Sequence, residues 1–235
     1  MKKYQLVADK IREYIKLNEL KRGDKLPKIN DLVDKFGVSK ATVLQALSLL
    51  AKQGKVYKIQ GSGIFVREPA DLHGYMSLLT NRGISGLVDN VTSDVIDIEE
   101  LDEPPERVKK YFDSEDLKCY RLRRLRRTNG KPFVLEESYY LKEYVPFLSK
   151  EIAQGSIFKY ITEALHEEIR FSDKFMWVEK LNENAANKLE LEPGDPALVV
   201  NDLYYLGNGK IFDVSFLTYN YKNSKFFDQS SDEII

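Results

Sequence analysis

The chain has 235 residues, 43% hydrophobic and 31% charged, with 14 Tyr, 12 Phe and one Trp, enough apolar material for packed cores and against wholesale disorder. No apolar run approaches the roughly 18–20 residues of a membrane helix, and Met1-Lys2-Lys3-Tyr4-Gln5 leads into charged residues rather than an apolar signal core, so a cytoplasmic location is expected and no membrane partner. One cysteine, Cys119, forms no internal disulfide, and His73 and His166 alone supply zinc or histidine catalysis poorly, so no metal or cofactor is expected. The net charge of −1 hides an asymmetry: through Arg67 there are 15 Lys and Arg against 6 Asp and Glu, and beyond it 21 against 31. A basic segment on an acidic body points to a nucleic-acid-binding module joined to something else.

In the basic segment, Tyr4, Val7, Ala8, Ile11, Tyr14 and Ile15 recur at three- and four-residue spacing, which predicts a helix over about 4–17. Leu20 to Pro27 reads as a turn broken by Gly23 and Pro27. Ile29, Leu32, Val33 and Phe36 form the inner face of a short helix over about 29–36, which Gly37 can end in the left-handed region. Ser39 is the predicted N-cap of a third helix, whose inner stripe is Val43, Ala46, Leu47 and Leu50. Helix, short turn, helix is the sequence form of a helix-turn-helix. Two strands, 55–59 and 64–66, flank Gln60-Gly61-Ser62-Gly63, whose glycines permit positive backbone angles at a hairpin tip. Such a hairpin is a wing, its tip small enough for a minor groove and Lys55 and Lys58 placed for phosphates.

Over about 4–66 the chain resembles the GntR family of bacterial winged-helix repressors. The resemblance rests on Leu20, Gly23-Asp24-Lys25-Leu26-Pro27, Leu32, Gly37-Val38-Ser39, Thr42-Val43, Ala46-Leu47, Leu50 and Gln60-Gly61-Ser62-Gly63-Ile64-Phe65-Val66, in the family order and spacing. It implies a homodimer on double-stranded operator DNA, with the third helix in the major groove and the wing in the minor groove. The contacts would come from Lys28, Asn30, Ser39, Lys40, Thr42, Leu44, Gln45, Lys58, Gly61 and Ser62. Two family arginines are replaced, by Asn30 and Leu44. Arginine reads guanine through a bidentate pair worth roughly 1–3 kcal/mol; leucine offers only an apolar contact, and Gln45 can pair with adenine. A changed operator is the expectation, the alternative being that Leu44 packs on a neighbouring subunit.

Residues 67–76 carry Pro69 and Gly74 without periodicity and read as a linker, with His73 a linker side chain; Met76, Leu78 and Leu79 start a short helical stretch. The predicted organisation is 1–66, linker 67–76, and 77–235. Strands are expected over 91–98, 119–127, 132–141, 171–181, 197–206 and 211–221, with turns at Asn129-Gly130 and Asn208-Gly209. Helices are expected over 104–112, 145–152, 156–167 and 184–189. The fold class is therefore α+β, with a mixed, largely antiparallel sheet. Trp177 is placed in the core or at a rim, and His166 within a helix.

In the run from Arg121 to Arg127, alternation puts Tyr120, Leu122, Arg124 and Arg126 on one strand face and Cys119, Arg121, Arg123, Leu125 and Arg127 on the other. Two arginines among apolar neighbours suit a buried anion; the alternative is an exposed strand paired with the domain's acids. Residues 77–228 are similar to the UTRA effector-binding domain of the HutC subfamily, on Arg124-Leu125-Arg126, Gly130-Lys131-Pro132, Glu136-Glu137-Ser138-Tyr139, Gly155-Ser156-Ile157-Phe158, Ala186 to Leu189, Gly194-Asp195-Pro196, Gly209 to Asp213 and Tyr219. The resemblance implies a fold like chorismate lyase in a binder rather than an enzyme, with Arg124 and Arg126 holding a phosphate and Glu136, Ser156 and Tyr219 at the ligand. A serine loop near Ser85 also contributes in relatives.

Chemistry agrees with these roles. Glu136 can accept hydrogen bonds from sugar hydroxyls. Ser156 can bind an anion at a helix start or simply cap it, and Phe158 follows in the same segment. Tyr219 can face the ligand or pack in the core; Asp213 can bind a hydroxyl or pair with lysine. The expected function is an effector-responsive transcription regulator, a repressor of a sugar-utilisation operon modulated by a sugar phosphate. The rival is an enzyme using Arg124 and Arg126 for substrate and Glu136 as acid–base, against which stands the lack of a nucleophile–base set.

Overall fold

A computed structural model describes residues 2–67, 75–76 and 91–228, which fall into two compact units. Ser85, His73, Leu78 and Leu79 lie outside the described residues.

The first unit contains α1 (Lys3–Leu17), α2 (Ile29–Phe36) and α3 (Lys40–Lys52), followed by a hairpin of β1 (Val56–Ile59) and β2 (Gly63–Val66). The expected apolar stripes meet in one core: Val7, Ala8 and Ile11 from α1, Leu32 from α2, Val43, Ala46, Leu47 and Leu50 from α3, closed by Val56 and Val66 of the hairpin. Gly37 ends α2 at φ +63, where its N–H reaches the carbonyl of Val33. Ser39 caps α3 by accepting a 3.3 Å bond from the Thr42 N–H, one of the free donors of a helix start.

The segment before α2 is more than a turn. Lys25 bridges antiparallel to Phe65, the Leu26 N–H donates to the Ile64 carbonyl at 2.8 Å and the Val66 N–H to the Asp24 carbonyl at 2.9 Å. It thus adds a third short strand that ties the wing down. Gly63 sits at φ +139, a backbone conformation that L side chains rarely adopt.

The second unit is a six-stranded sheet, ordered β3-β4-β5-β8-β7-β6, from β3 (Val91–Leu101), β4 (Cys119–Thr128), β5 (Lys131–Leu141), β6 (Ile169–Lys180), β7 (Pro196–Leu206) and β8 (Ile211–Asn220). Every pairing among its described strands is antiparallel, in line with the expected α+β fold and its largely antiparallel sheet. A parallel bridge joins Met76 to Phe226 outside the named strands, and Met76 is a buried bridge residue rather than a helix start. Asn129 (φ +49) and Gly130 (φ +77) turn the β4–β5 hairpin, with the two positive angles of a tight primed turn.

Short helices cover the sheet: α4 (Glu106–Lys109), α5 (Lys150–Gln154), α6 (Ile157–Lys159) and α7 (Glu183–Leu189). The helices expected over 104–112, 145–152 and 156–167 are shorter than their apolar periodicity implied. Val145 and Leu148 are buried without being helical. After α6 the chain widens into a π-turn, Tyr160–Ala164, and His166 lies beyond it at φ +57 rather than in a helix. Trp177 is on the edge strand β6 and 40% exposed. No helix among the described residues is long and apolar enough to cross a membrane.

Candidate functional site

Two sites emerge, one in each unit. In the first, α3, the start of α2 and the wing enclose an open groove of about 830 Å³, lined by residues that include Pro27, Lys28, Leu44, Ser48, Lys58, Ile59 and Ser62. Asn30, Lys40, Gln45 and Gly61 are exposed. Leu44, 44% exposed, packs into none of its own core. Ser39 and Thr42 are already engaged with each other through a 2.9 Å hydroxyl pair. This surface is basic at its rim and apolar within, and α3 presents side chains at a spacing that suits a groove of duplex DNA.

The second site lies on one face of the sheet, where strand register assembles it. Arg124 stands opposite Glu136, Glu136 opposite Leu217 and Ser138 opposite Ser215, and Asp213 opposite Tyr204. With Arg126, Tyr140, Ser156, Ile157 and Phe158, most of these residues wall a space of about 30 Å³, room for about one water. Arg124, Arg126 and Glu136 are all buried. Arg124 Nη2 donates to Glu136 Oε1 and Arg126 Nε to Glu136 Oε2 at 2.7 Å, while Arg126 Nη1 reaches Ser93 at 3.2 Å. Arg124 Nη1 also donates to the Ala153 carbonyl at 2.7 Å, satisfying an orphan acceptor at the end of α5.

The electrostatics follow from this geometry. Burial opposes the ionised form of Glu136, but the charges of Arg124 and Arg126 and their hydrogen bonds prevail and hold it down to about 2. Asp213 is the reverse case. Burial raises its carboxyl well above the carboxylate range; the Ser215 hydroxyl, 2.6 Å from Oδ1, opposes this, and the Glu136 and Asp202 charges reinforce it. Asp213 Oδ2 and Arg124 Nε have no partner among the described residues. The Ser138 hydroxyl links the halves, donating to Glu136 at 3.0 Å and lying 2.6 Å from the Ser215 hydroxyl.

The arginine run divides between the two faces of β4. Arg121 pairs with Glu99, Arg123 with Asp97, and Arg127 with Asp94 and Glu190, while Arg124 and Arg126 turn inward. The Glu136 carboxylate, expected at the ligand, accepts from both guanidinium groups. Among the described residues Asp213 bonds Ser215 and no lysine. Ser156 caps α6, its Oγ accepting from the Lys159 N–H at 3.3 Å. Tyr219 shares the pocket face but packs into a core cluster with Val134 and Leu217, against Phe226. Phe158 meets Tyr204 edge to face, 4.7 Å between centroids. Tyr140, Tyr204, Ser215 and Leu217 were not singled out in the sequence, nor was the buried pair Lys174–Asp202 (2.7 Å) beside Tyr204. No local motif marks them; cross-strand register alone brings them together.

This combination, a three-helix module with a wing and a separate antiparallel sheet holding a buried arginine pocket, defines a DNA-binding regulator with a small-molecule domain. Residues 3–66 match the model of the bacterial regulatory proteins of the gntR family, and residues 87–224 match the UTRA domain. The chain belongs to the GntR family of bacterial transcriptional regulators, with a C-terminal UTRA domain. It is 42% identical over 233 residues to the HTH-type transcriptional regulator YydK of Bacillus subtilis, covering 98% of each chain. The YydK crystal structure superposes with a TM-score of 0.90, over 98% of this chain and 100% of that one. The mannosyl-D-glycerate transport/metabolism system repressor MngR of Escherichia coli is 29% identical over 224 residues, 95% of this chain and 93% of that one. These relatives are regulators of transcription, and the chain is a regulator rather than an enzyme.

Proposed function

We propose that the protein is a repressor that binds a two-fold operator as a homodimer and changes its grip when a phosphorylated sugar enters the UTRA pocket. The observation that carries this is the buried Arg124–Arg126 pair closed on one carboxylate, an anion site already filled by an internal anion. Guanidinium forks receive phosphate in the same planar geometry, so an incoming phosphate exchanges with Glu136 and frees that carboxylate for sugar hydroxyls. Ser156, Phe158 and Asp213 stand around the same space, with Tyr219 two residues along the strand from Leu217. A relative named for mannosyl-D-glycerate metabolism supports a sugar-derived effector. Lys28, Asn30, Lys40, Thr42, Leu44 and Gln45 meet the major groove side, and Lys58, Gly61 and Ser62 the wing side, while Ser39 serves chiefly as the cap of α3. Domains at 1–66 and 77–235 with a joint at 67–76 complete the proposal. The ligand acts by favouring one dimer geometry over another.

The test replaces Arg124 and Arg126 by Ala. Operator affinity without ligand is retained, and release by a panel of sugar phosphates is lost. A neutral sugar that frees the double variant from DNA as well as it frees wild type overturns the reading.

A further inference from the structure

We propose that Leu44 reads the 5-methyl group of a thymine, so that the middle of α3 recognises A·T base pairs. This rests on the reading of α3 as the helix that enters the major groove, and it names the base which that reading leaves open. α3 leaves Ala41, Leu44, Gln45 and Ser48 exposed. Their three- and four-residue spacing puts them on one face, while Val43, Ala46, Leu47 and Leu50 are spent on the core. The stretch from Ala41 to Ala51 holds no charged residue. Between Lys40 and Lys52 the face therefore has no cation to pair with guanine and no carboxylate to accept from cytosine.

What the face does hold fits an A·T pair. The Gln45 amide can pair with the N6 and N7 edge of adenine, and the methyl groups of Ala41 and Leu44 suit the methyl of thymine. A lone exposed leucine is ordinary, but Leu44 is not alone. Ile59 of the wing is exposed to the same degree, and both side chains line the groove between α3 and the hairpin. Lys28 and Lys58 line that groove too, so a duplex held there by its phosphates brings its base edges to an apolar surface. A thymine methyl makes no hydrogen bond. It registers only by leaving water against another apolar group, and Leu44 is the largest such group on the exposed face of α3.

The experiment starts from duplexes that the full chain selects out of a random-sequence pool. The tightest is remade with deoxyuridine at one thymine at a time, which removes the methyl and keeps the pairing with adenine. Affinities are read by fluorescence anisotropy for wild type, Leu44→Ala and Leu44→Asn, with circular dichroism to show that each variant folds; either variant suffices. At one thymine in each half-site the exchange weakens wild type by about four-fold, the worth of one buried carbon. The variants bind the thymine and deoxyuridine duplexes equally at that position. A wild type indifferent to deoxyuridine at every position overturns the assignment, and so does a methyl that counts as much in the variants as in wild type. Both outcomes leave α3 standing as the reading helix. A chain that selects no sequence from the pool overturns the operator reading as well.

Discussion

The two sites of this chain hold their charge in opposite ways. On the winged module Lys28 and Lys58 are exposed side chains lining an open groove, and Asn30, Lys40 and Gln45 are exposed as well. In the UTRA pocket Arg124, Arg126 and Glu136 are buried and bonded to one another around a space of about 30 Å³. An exposed cation is satisfied by water until DNA arrives, so its cost to the fold is small and its contribution depends on salt. A buried cation must be neutralised inside the protein before any ligand comes. The pocket therefore carries its own counter-ion, and binding there is an exchange rather than an addition.

The sharpest way to break this comparison is to remove the counter-ion. Glu136→Ala leaves two buried guanidinium groups without their carboxylate, and loss of one partner of such a network costs about 3–5 kcal/mol. Urea melts should show that loss, with inorganic phosphate recovering part of it in the variant and adding less to wild type. Equal melts would mean that Glu136 is not the anion that closes the site. Next in size is the reading surface. Gln45→Ala should lose roughly 1–3 kcal/mol of discrimination at one base pair. Lys40→Ala should instead weaken all sequences and lower the salt slope by about 0.9 for each phosphate the side chain no longer neutralises. Titrations of matched and mismatched operators at several salt concentrations separate the two.

A third prediction concerns protons. Burial, chiefly, raises the Asp213 carboxyl well above its ordinary 3.8. Between that value and the raised one the folded state binds more protons than the unfolded state, so this group's contribution to stability falls as pH rises. Asp213→Asn should therefore gain on wild type from roughly pH 4 upward, as followed by melting temperature. Glu136 runs the other way: its stabilisation is present above the ordinary 4.5 and fades as pH falls toward about 2. A gap between Asp213→Asn and wild type that is independent of pH would show that Asp213 is ionised in the fold. The smallest effect belongs to the outer face of β4. Arg123 pairs with Asp97 where the arginine side chain is 38% exposed, so Arg123→Ala should change denaturant stability by less than about 1 kcal/mol. A loss as large as that of Glu136→Ala would erase the distinction between the two faces.

Periodicity and chain-local chemistry determined much of this protein. The spacing of Val7, Ile11, Leu32, Val43 and Leu50 was enough to place three helices and their shared core, because a helix face is written within a few consecutive residues. Gly37, Ser39 and Asn129-Gly130 marked a helix end, a cap and a hairpin turn for equally local reasons. Alternation along β4 separated Arg124 and Arg126 from Arg121 and Arg123, and resemblance drew attention to the inner pair. What surrounds that pair was decided by the sheet. Chain order places Glu136 beyond a hairpin and Asp213 on a strand far along the chain, yet β5 lies between β4 and β8, and that arrangement sets Ser138 against Ser215 and Asp213 beside Tyr140 and Tyr204. No residue pattern records that Glu136 would spend its carboxylate on two arginines, since the bond depends on which side chains register and burial force together. The helices over the sheet are shorter than their sequence suggests for the same reason: Val145 and Leu148 are apolar because the sheet covers them, and burial by tertiary contact leaves the same mark in a sequence as burial on a helix face.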